Sequence, residues 1–150
     1  MDDAIERLRF AVRELPAVLG RVTDAEAAEP QGPGRWAKKE VVGHLIDSAS
    51  NNHQRFVRGQ LEAGQAFPKY EQEGWVRVQQ YRAAPWSELI ELWRLYNGHL
   101  VRVAEAMPGE ARRSTCRVGG GEEVTLAALF ADYVDHLEHH LRQMLGAWPA

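Results

Sequence analysis

The stretch TLAALFADYVDHLEHHLRQMLGAW, residues 125–148, sets the fold class and also holds three of the six histidines of the chain. Its apolar residues recur every three or four positions, which places them along one side of an α-helix. They are Leu126, Phe130, Val134, Leu137, Leu141, Leu145 and Trp148. The spacing predicts an amphipathic helix over the whole stretch, with its apolar side packed against a core.

Three further segments have the same periodicity. The first predicted helix covers residues 2–19, the second runs from Trp36 to about residue 63, and the third begins at Pro85 and ends at MPGE, residues 107–110. Proline suits the first turn of a helix, where its missing backbone N–H has no partner to lose. Four amphipathic helices without convincing strand alternation are typical of a four-helix bundle. We therefore predict an all-α four-helix bundle, in one domain of 150 residues.

The predicted connections between these helices are long. EPQGPGRW at residues 29–36 reads as a loop, whereas WVRVQQY at residues 75–81 fits either a few helical turns or a strand. The segment 111–124, ARRSTCRVGGGEEV, fits a short hairpin or an irregular excursion. Because compact bundles use loops of roughly 2 to 8 residues, we expect crossovers or inserted loops that cover a site at one end of the bundle.

Composition excludes several classes of function. The net charge is -3, and the 18 basic residues are scattered among 21 acidic ones, which argues against a nucleic-acid partner. No window approaches the roughly 20 apolar residues that span a membrane, and the acidic start predicts a cytoplasmic protein. Cys116 is the only cysteine, so a metal site must be built from histidines and carboxylates.

Of the three histidines in the last predicted helix, two are placed in a possible metal site and one outside it. His136 and His140 are four residues apart, so their side chains differ by only about 40° around the helix axis and can reach one metal ion. His139 lies about 100° from His140 and is placed outside the site. Two imidazoles rarely suffice, and a third protein ligand is expected from another helix.

The second predicted helix offers His44 and His53 as that ligand. His53 shares a face with apolar residues, which predicts a core or interface position. His44 lies on a polar stripe, and the last helix has a similar stripe beside His136, so the two stripes can border a common groove. We therefore predict His44, His136 and His140 as metal ligands. The stripe around His44 is made of Glu40, Ser48, Asn51 and Arg55.

Simpler interpretations compete with this one. A polar stripe is more often the solvated face of a helix than a site. No partner is predicted for His99, and Trp86, Trp93 and Tyr96 are assigned to core packing. Phe10 and Val18 lie off the main apolar stripe of the first helix, which favours a homodimer.

The segments RWAKKEVVGHLIDSASNNHQRF, residues 35–56, and TLAALFADYVDHLEHHLRQM, residues 125–144, resemble the two signatures of the DinB-like superfamily. That family includes a YfiT-like branch regarded as metal-dependent hydrolases. The resemblance implies Trp36 at the start of the second helix and a three-histidine metal site at His44, His136 and His140. The family commonly has Ser or Thr after the Trp, as a helix cap, where this chain has Ala37.

Three imidazoles leave coordination positions open to water, as in catalytic sites that bind zinc, nickel or iron. The resemblance implies a small-molecule substrate and either hydrolysis or transfer to a low-molecular-weight thiol; a non-catalytic metal- or small-molecule-binding stress protein is the alternative. Leu137 follows His136 where zincin peptidases have glutamate, which argues against that class. Glu40, Asp47 and Tyr133 are candidates to orient a ligand ring or move a proton.

Overall fold

The computed structural model describes residues 1–149. Four long helices form the bundle, and three short helices and a small sheet lie in the connections. The helices are Asp2–Leu19 (α1), Asp24–Ala28 (α2), Lys38–Leu61 (α3), Gln72–Gln79 (α4), Trp86–Ala106 (α5), Gly109–Arg112 (α6) and Leu126–Leu145 (α7). The strands are Gln65–Phe67 (β1), Thr115–Val118 (β2) and Val124–Thr125 (β3), and Tyr81–Ala83 forms one 3-10 turn.

The four predicted helices are confirmed, with small differences at their ends. α1 has the predicted bounds. α3 begins two residues after Trp36 because Ala37 is still extended, and Glu40 accepts a hydrogen bond from the Ala37 backbone N–H at 2.8 Å. This contact provides half of a capping box without a Ser or Thr side chain. α7 ends at Leu145 rather than at residue 148, because Gly146 adopts a left-handed conformation that terminates the helix.

The long connections contain a three-stranded sheet that the all-α prediction did not include. β2 pairs antiparallel with β3, so of the two alternatives left open for residues 111–124, a hairpin or an irregular excursion, the structure has the hairpin. β1 pairs in parallel with β2, Gln65 opposite Cys116. For residues 75–81 the sequence allowed either helical turns or a strand. The segment is mostly helical, because α4 covers it as far as Gln79. The connections are therefore ordered structures that lie against α3.

The core lies between the four long helices, where α3 packs against both α5 and α7 and α1 packs against α5. Trp86 and Trp93 are buried in it, as predicted, and the half-buried Tyr96 packs at its edge. Of the two residues expected at a dimer face, Val18 packs against this core, whereas Phe10 is partly exposed and contacts Trp148. No helix within residues 1–149 is long and apolar enough to cross a membrane.

A close contact between α3 and the 3-10 turn fixes the start of the helix that carries His44. A Cβ atom at Gly43 would lie 2.1–2.5 Å from three carbons of the Tyr81 ring. That ring is buried and its hydroxyl is bonded to Asp47, so it has little freedom to move. We expect Gly43→Ala to lower the free energy of unfolding by about 1–3 kcal/mol in urea denaturation, although alanine is the better helix former.

Gly98 provides the matched control for this prediction. It lies inside α5, and the nearest atom to an added Cβ is Val12 Cγ1 at 3.8 Å, an ordinary contact distance. Gly98→Ala should therefore raise the free energy of unfolding by about 0.5–1 kcal/mol, the usual gain of alanine over glycine in a helix. Equal effects of the two substitutions would contradict the steric role assigned to Gly43.

Candidate metal centre

The structure brings His44 of α3 together with His136 and His140 of α7. The Nε2 atom of His136 lies 3.4 Å from Nε2 of His44 and 3.2 Å from Nε2 of His140. Each of the three residues offers one ring nitrogen, and the three nitrogens lie within 4.8 Å of one another. The two helices therefore meet where the polar stripes were expected to border a groove. The assignment of these three residues as metal ligands stays a prediction.

The two nitrogen spacings at His136 fit a shared ion. Zn–N bonds measure about 2.0–2.1 Å, which puts two nitrogens on one ion about 2.9 Å apart at a right angle and about 3.4 Å apart at a tetrahedral angle. The observed 3.2 and 3.4 Å fall in this interval. By contrast, a neutral imidazole nitrogen either donates or accepts, so the His136 Nε2 atom cannot donate to one neighbour and accept from the other.

The environment keeps the three rings neutral. Burial, followed by the neighbouring histidines, lowers the pKa of His44 from 6.5 to about 3. Burial, followed by His136, lowers the pKa of His140 to about 4. Burial also lowers the pKa of His136, although Asp132 acts in the opposite direction. Neutral imidazoles present free lone pairs at neutral pH, which is the protonation state that metal binding requires.

Packing rather than hydrogen bonding orients His44. The ring is fully buried, its centroid lies 5.1 Å from that of Trp36, and its Nδ1 atom has no hydrogen-bond partner among the described residues. Metal-bound histidines usually donate the second ring N–H to a carboxylate or a carbonyl oxygen. Instead, Trp36, at the position that the resemblance singled out, packs against the ring.

The other histidines lie apart from this cluster. His139 is exposed, although its ring is 5.5 Å from that of His140. His53 is half-buried; its Nδ1 atom lies 3.2 Å from the Tyr96 hydroxyl oxygen, and its ring is 5.1 Å from that of His99. His99, for which no partner was predicted, therefore contacts His53 at the edge of the bundle.

The three residues proposed to assist the site all have other partners. Glu40 caps α3, and Tyr133 donates a hydrogen bond to Asn97 in the core. Asp47 is buried one turn after His44; its Oδ1 atom accepts from Tyr81 and from the Gln79 side chain, both at 2.7 Å. Burial raises the pKa of Asp47, and these two hydrogen bonds oppose that shift. None of the three is hydrogen-bonded to a cluster histidine.

Two cavities flank the cluster. One of about 220 Å³ reaches His140 between Trp36 and Met144, and one of about 310 Å³ reaches His136 between α3, α7 and the segment that precedes α4. Sequence patterns did not predict the second cavity, because no structure was predicted for the segment before α4 that covers it. Its lining includes Arg55, which the helical periodicity placed correctly on the stripe of His44.

Comparison with known proteins agrees with this architecture. A family model described as the DinB superfamily matches residues 7–144. The chain belongs to the DinB superfamily. This confirms the resemblance that was read from residues 35–56 and 125–144, and the matched region includes the three-histidine cluster, all of α3 and α5, and most of α1 and α7.

Two relatives of the chain have names that refer to a metal-dependent hydrolase. A protein of Geobacillus thermodenitrificans named "Putative metal-dependent hydrolase" is 27% identical over 141 residues, which are 91% of this chain and 79% of that protein. The "Putative metal-dependent hydrolase YfiT" of Bacillus subtilis is 26% identical over 135 residues, 87% of this chain and 76% of YfiT.

A solved structure extends the comparison to three dimensions. The structure of YfiT from Bacillus subtilis, described as "a probable metal-dependent hydrolase with an unusual four-helix bundle topology", matches with a TM-score of 0.83 at 25% identity. The match covers 97% of this chain and 83% of that one. The predicted four-helix bundle is therefore confirmed as a bundle of the YfiT type.

Proposed function

We propose that this protein is a metal-dependent hydrolase of small molecules, with a divalent ion held by His44, His136 and His140. The observation that carries the proposal is the convergence of three neutral imidazole nitrogens at the meeting point of α3 and α7. The ion would be zinc, nickel or iron, since all three accept imidazole ligands. When bound, a divalent ion acts as a Lewis acid and lowers the pKa of coordinated water towards neutrality.

The protein's own residues leave the site accessible to reactants from two sides. The half-buried His136 and His140 face the two flanking cavities, whereas the fully buried His44 forms the closed side of the site. In hydrolysis the oxygen of water bonds to the substrate carbonyl carbon, and the leaving group departs with the bonding electron pair. The two protons of water end on the two products.

Thiol S-transfer is the second candidate, and the paired cavities favour it. A cavity on each side of the cluster provides room for two reactants, a low-molecular-weight thiol and an electrophile. In this reaction the thiolate sulfur bonds to the electrophilic carbon, and the leaving group departs with its bonding electrons and takes up the thiol proton. The same three histidines and the same metal serve both reactions.

Turnover by metal-loaded and chelated protein tests this proposal. The protein is loaded with zinc, nickel or iron(II) and assayed on a panel of esters and amides and on thiols mixed with electrophiles. We expect turnover that disappears with chelator, returns with metal and is absent in His140→Ala. Turnover of esters or amides without thiol supports hydrolysis, whereas a requirement for thiol supports transfer. Metal binding without any metal-dependent turnover would reject the proposal that the protein is an enzyme, and would support the alternative of a non-catalytic metal-binding protein.

A further inference from the structure

The cavity beside His136 contains a buried positive charge that the metal site does not use. The cavity measures about 310 Å³. It extends along α3 from the cluster, and the segment after β1 covers its far end. Its lining includes Ser48, Asn52, Arg55, Tyr70, Asp132 and His136.

Arg55 has no carboxylate partner within the described residues, although it is only 8% exposed. Its guanidinium donates to Asn52 Oδ1 and to the Pro68 carbonyl oxygen, both at 3.2 Å, and both acceptors are neutral. Lys39, the other buried cation of α3, is paired with Asp24 at 2.9 Å. Arg55 therefore differs from Lys39 in lacking an opposite charge.

A buried cation of this kind is costly unless something compensates it. Removing an ion from water costs several kcal/mol, and two neutral hydrogen bonds offset only part of that cost. The guanidinium has five N–H donors, and the two bonds to Asn52 and Pro68 use two of them. Burial lowers the pKa of Arg55, but arginine remains charged at neutral pH. The remaining donors and the unpaired charge are available to an anionic ligand.

The position of Arg55 on α3 directs such a ligand towards the proposed metal site. His44, Ser48, Asn52 and Arg55 follow one another at intervals of four, four and three residues, so they lie along one stripe of α3. Eleven residues of helix span about 16 Å, and the Arg55 side chain shortens that gap because it reaches back to Asn52. A small molecule anchored at Arg55 therefore extends along the cavity towards His136.

The charge of the lining indicates which anion fits. Arg55 and Lys69 are cationic and Asp132 is anionic, which leaves one net positive charge around the cavity. Tyr70, also in the lining, is a neutral hydrogen-bond donor because burial raises its pKa to about 12. A guanidinium binds a carboxylate in a planar, bidentate geometry. One positive charge with these donors matches a single carboxylate.

We propose that Arg55 binds a carboxylate of the substrate, so that the protein acts on small organic acids whose carboxylate lies at the opposite end from the reacting bond. The placement of the reacting end rests on the metal-dependent function proposed above. Arg55 is a specificity-determining residue in this proposal, since it contacts the substrate away from the bond that breaks.

Binding of simple acids tests the role of Arg55 without any assay of turnover. Linear dicarboxylates of four to eight carbons and monocarboxylates of equal length are titrated into zinc-loaded protein by calorimetry. One carboxylate reaches the metal site and the other reaches Arg55, so at a matching length the dicarboxylate should bind about 10- to 100-fold more tightly. We expect Arg55→Met to abolish this preference and Arg55→Lys to retain part of it.

Arg102→Met is the matched control, since it removes an exposed arginine of α5. It should keep the full preference for dicarboxylates. Equal affinities in Arg55→Met and Arg102→Met, or no preference in the unmodified protein at any length, would overturn the proposal. Zinc content, measured in the same samples, tests the metal site separately. If the unmodified protein binds no zinc, the proposed function fails, and Arg55→Met must still weaken dicarboxylate binding to the metal-free protein for this inference to stand.

Thermal unfolding distinguishes ligand binding from a purely structural role of Arg55. Removal of an uncompensated charge offsets the loss of two neutral hydrogen bonds, so Arg55→Met should melt no lower than Arg102→Met. A melting temperature lower by more than about 5 °C, together with an unchanged preference for dicarboxylates, would assign Arg55 to holding the Pro68 segment and overturn the proposal.

Discussion

His44→Ala is expected to lower the affinity of the protein for zinc by more than about 100-fold. Loss of residues that merely orient metal ligands already costs 10- to 100-fold, and loss of one of only three protein ligands costs more. His44 is also the only proposed ligand on α3, so its removal leaves two proposed ligands, both on α7. The measurement is zinc affinity by competition with a chromophoric chelator, together with metal content after gel filtration.

Two other histidines are the controls for this prediction. His139→Ala removes an exposed histidine next to His140, and His53→Ala removes a half-buried one from the same helix as His44. Both variants should bind zinc as the unmodified protein does. Equal zinc affinity in His44→Ala and the unmodified protein would rule out the three-histidine centre. A loss in all three variants would point to general unfolding, which circular dichroism spectra of the same samples would reveal.

The long helices could be predicted from the sequence because the cause of each is local. The apolar stripe of α7 and the glycine that ends it lie within one continuous segment, as do the residues that shape α1. The short α2 was missed although its Thr23 and Glu26 form a complete capping box, because five residues are too few to show periodicity.

The sheet could not be predicted because its cause is not local. β1 has only three residues, and it becomes a strand by pairing with β2 about fifty positions later. A pattern of three residues carries little information on its own. The cavity beside His136 depends on the same pairing, since the segment that covers it follows β1 directly. For that reason helical periodicity predicted the face of α3 on which Arg55 lies, but it did not predict which residues surround Arg55.

The grouping of the three histidines could be predicted from the sequence, but the contacts of the residues around them could not. The interval between His136 and His140, and the stripe of His44, follow from helix geometry alone. The roles of Asp47 and Tyr81 do not, because their hydrogen bond joins α3 to a 3-10 turn whose position depends on tertiary packing. Asp47 was therefore expected beside a ligand ring, whereas it is bonded to Tyr81 and Gln79.

Mild acid is expected to destabilise the metal-free protein strongly. The folded protein holds His44 and His140 neutral, with pKa values of about 3 and about 4, whereas the unfolded chain titrates near 6.5. The unfolded state therefore binds more protons throughout this interval. The stability that these histidines contribute is fully present above pH 6.5 and falls as the pH drops towards the folded pKa values. Between pH 7 and pH 5 the loss is about 2 kcal/mol per histidine.

For the pair the loss reaches about 4 kcal/mol, a large part of the 5–15 kcal/mol that stabilises a typical domain. The lowered pKa values of Asp24 and Glu138 place their titration at lower pH, whereas the raised pKa of Asp47 acts against the loss from the histidines. Urea denaturation of chelator-treated protein at pH 7, 6 and 5 measures the loss of stability. In His44→Gln the slope of the unfolding free energy against pH should be smaller by the equivalent of about one bound proton. In His139→Ala the slope should be unchanged. Constant stability from pH 7 to pH 5 would mean that His44 and His140 are not held neutral, and would remove the electrostatic basis for metal binding.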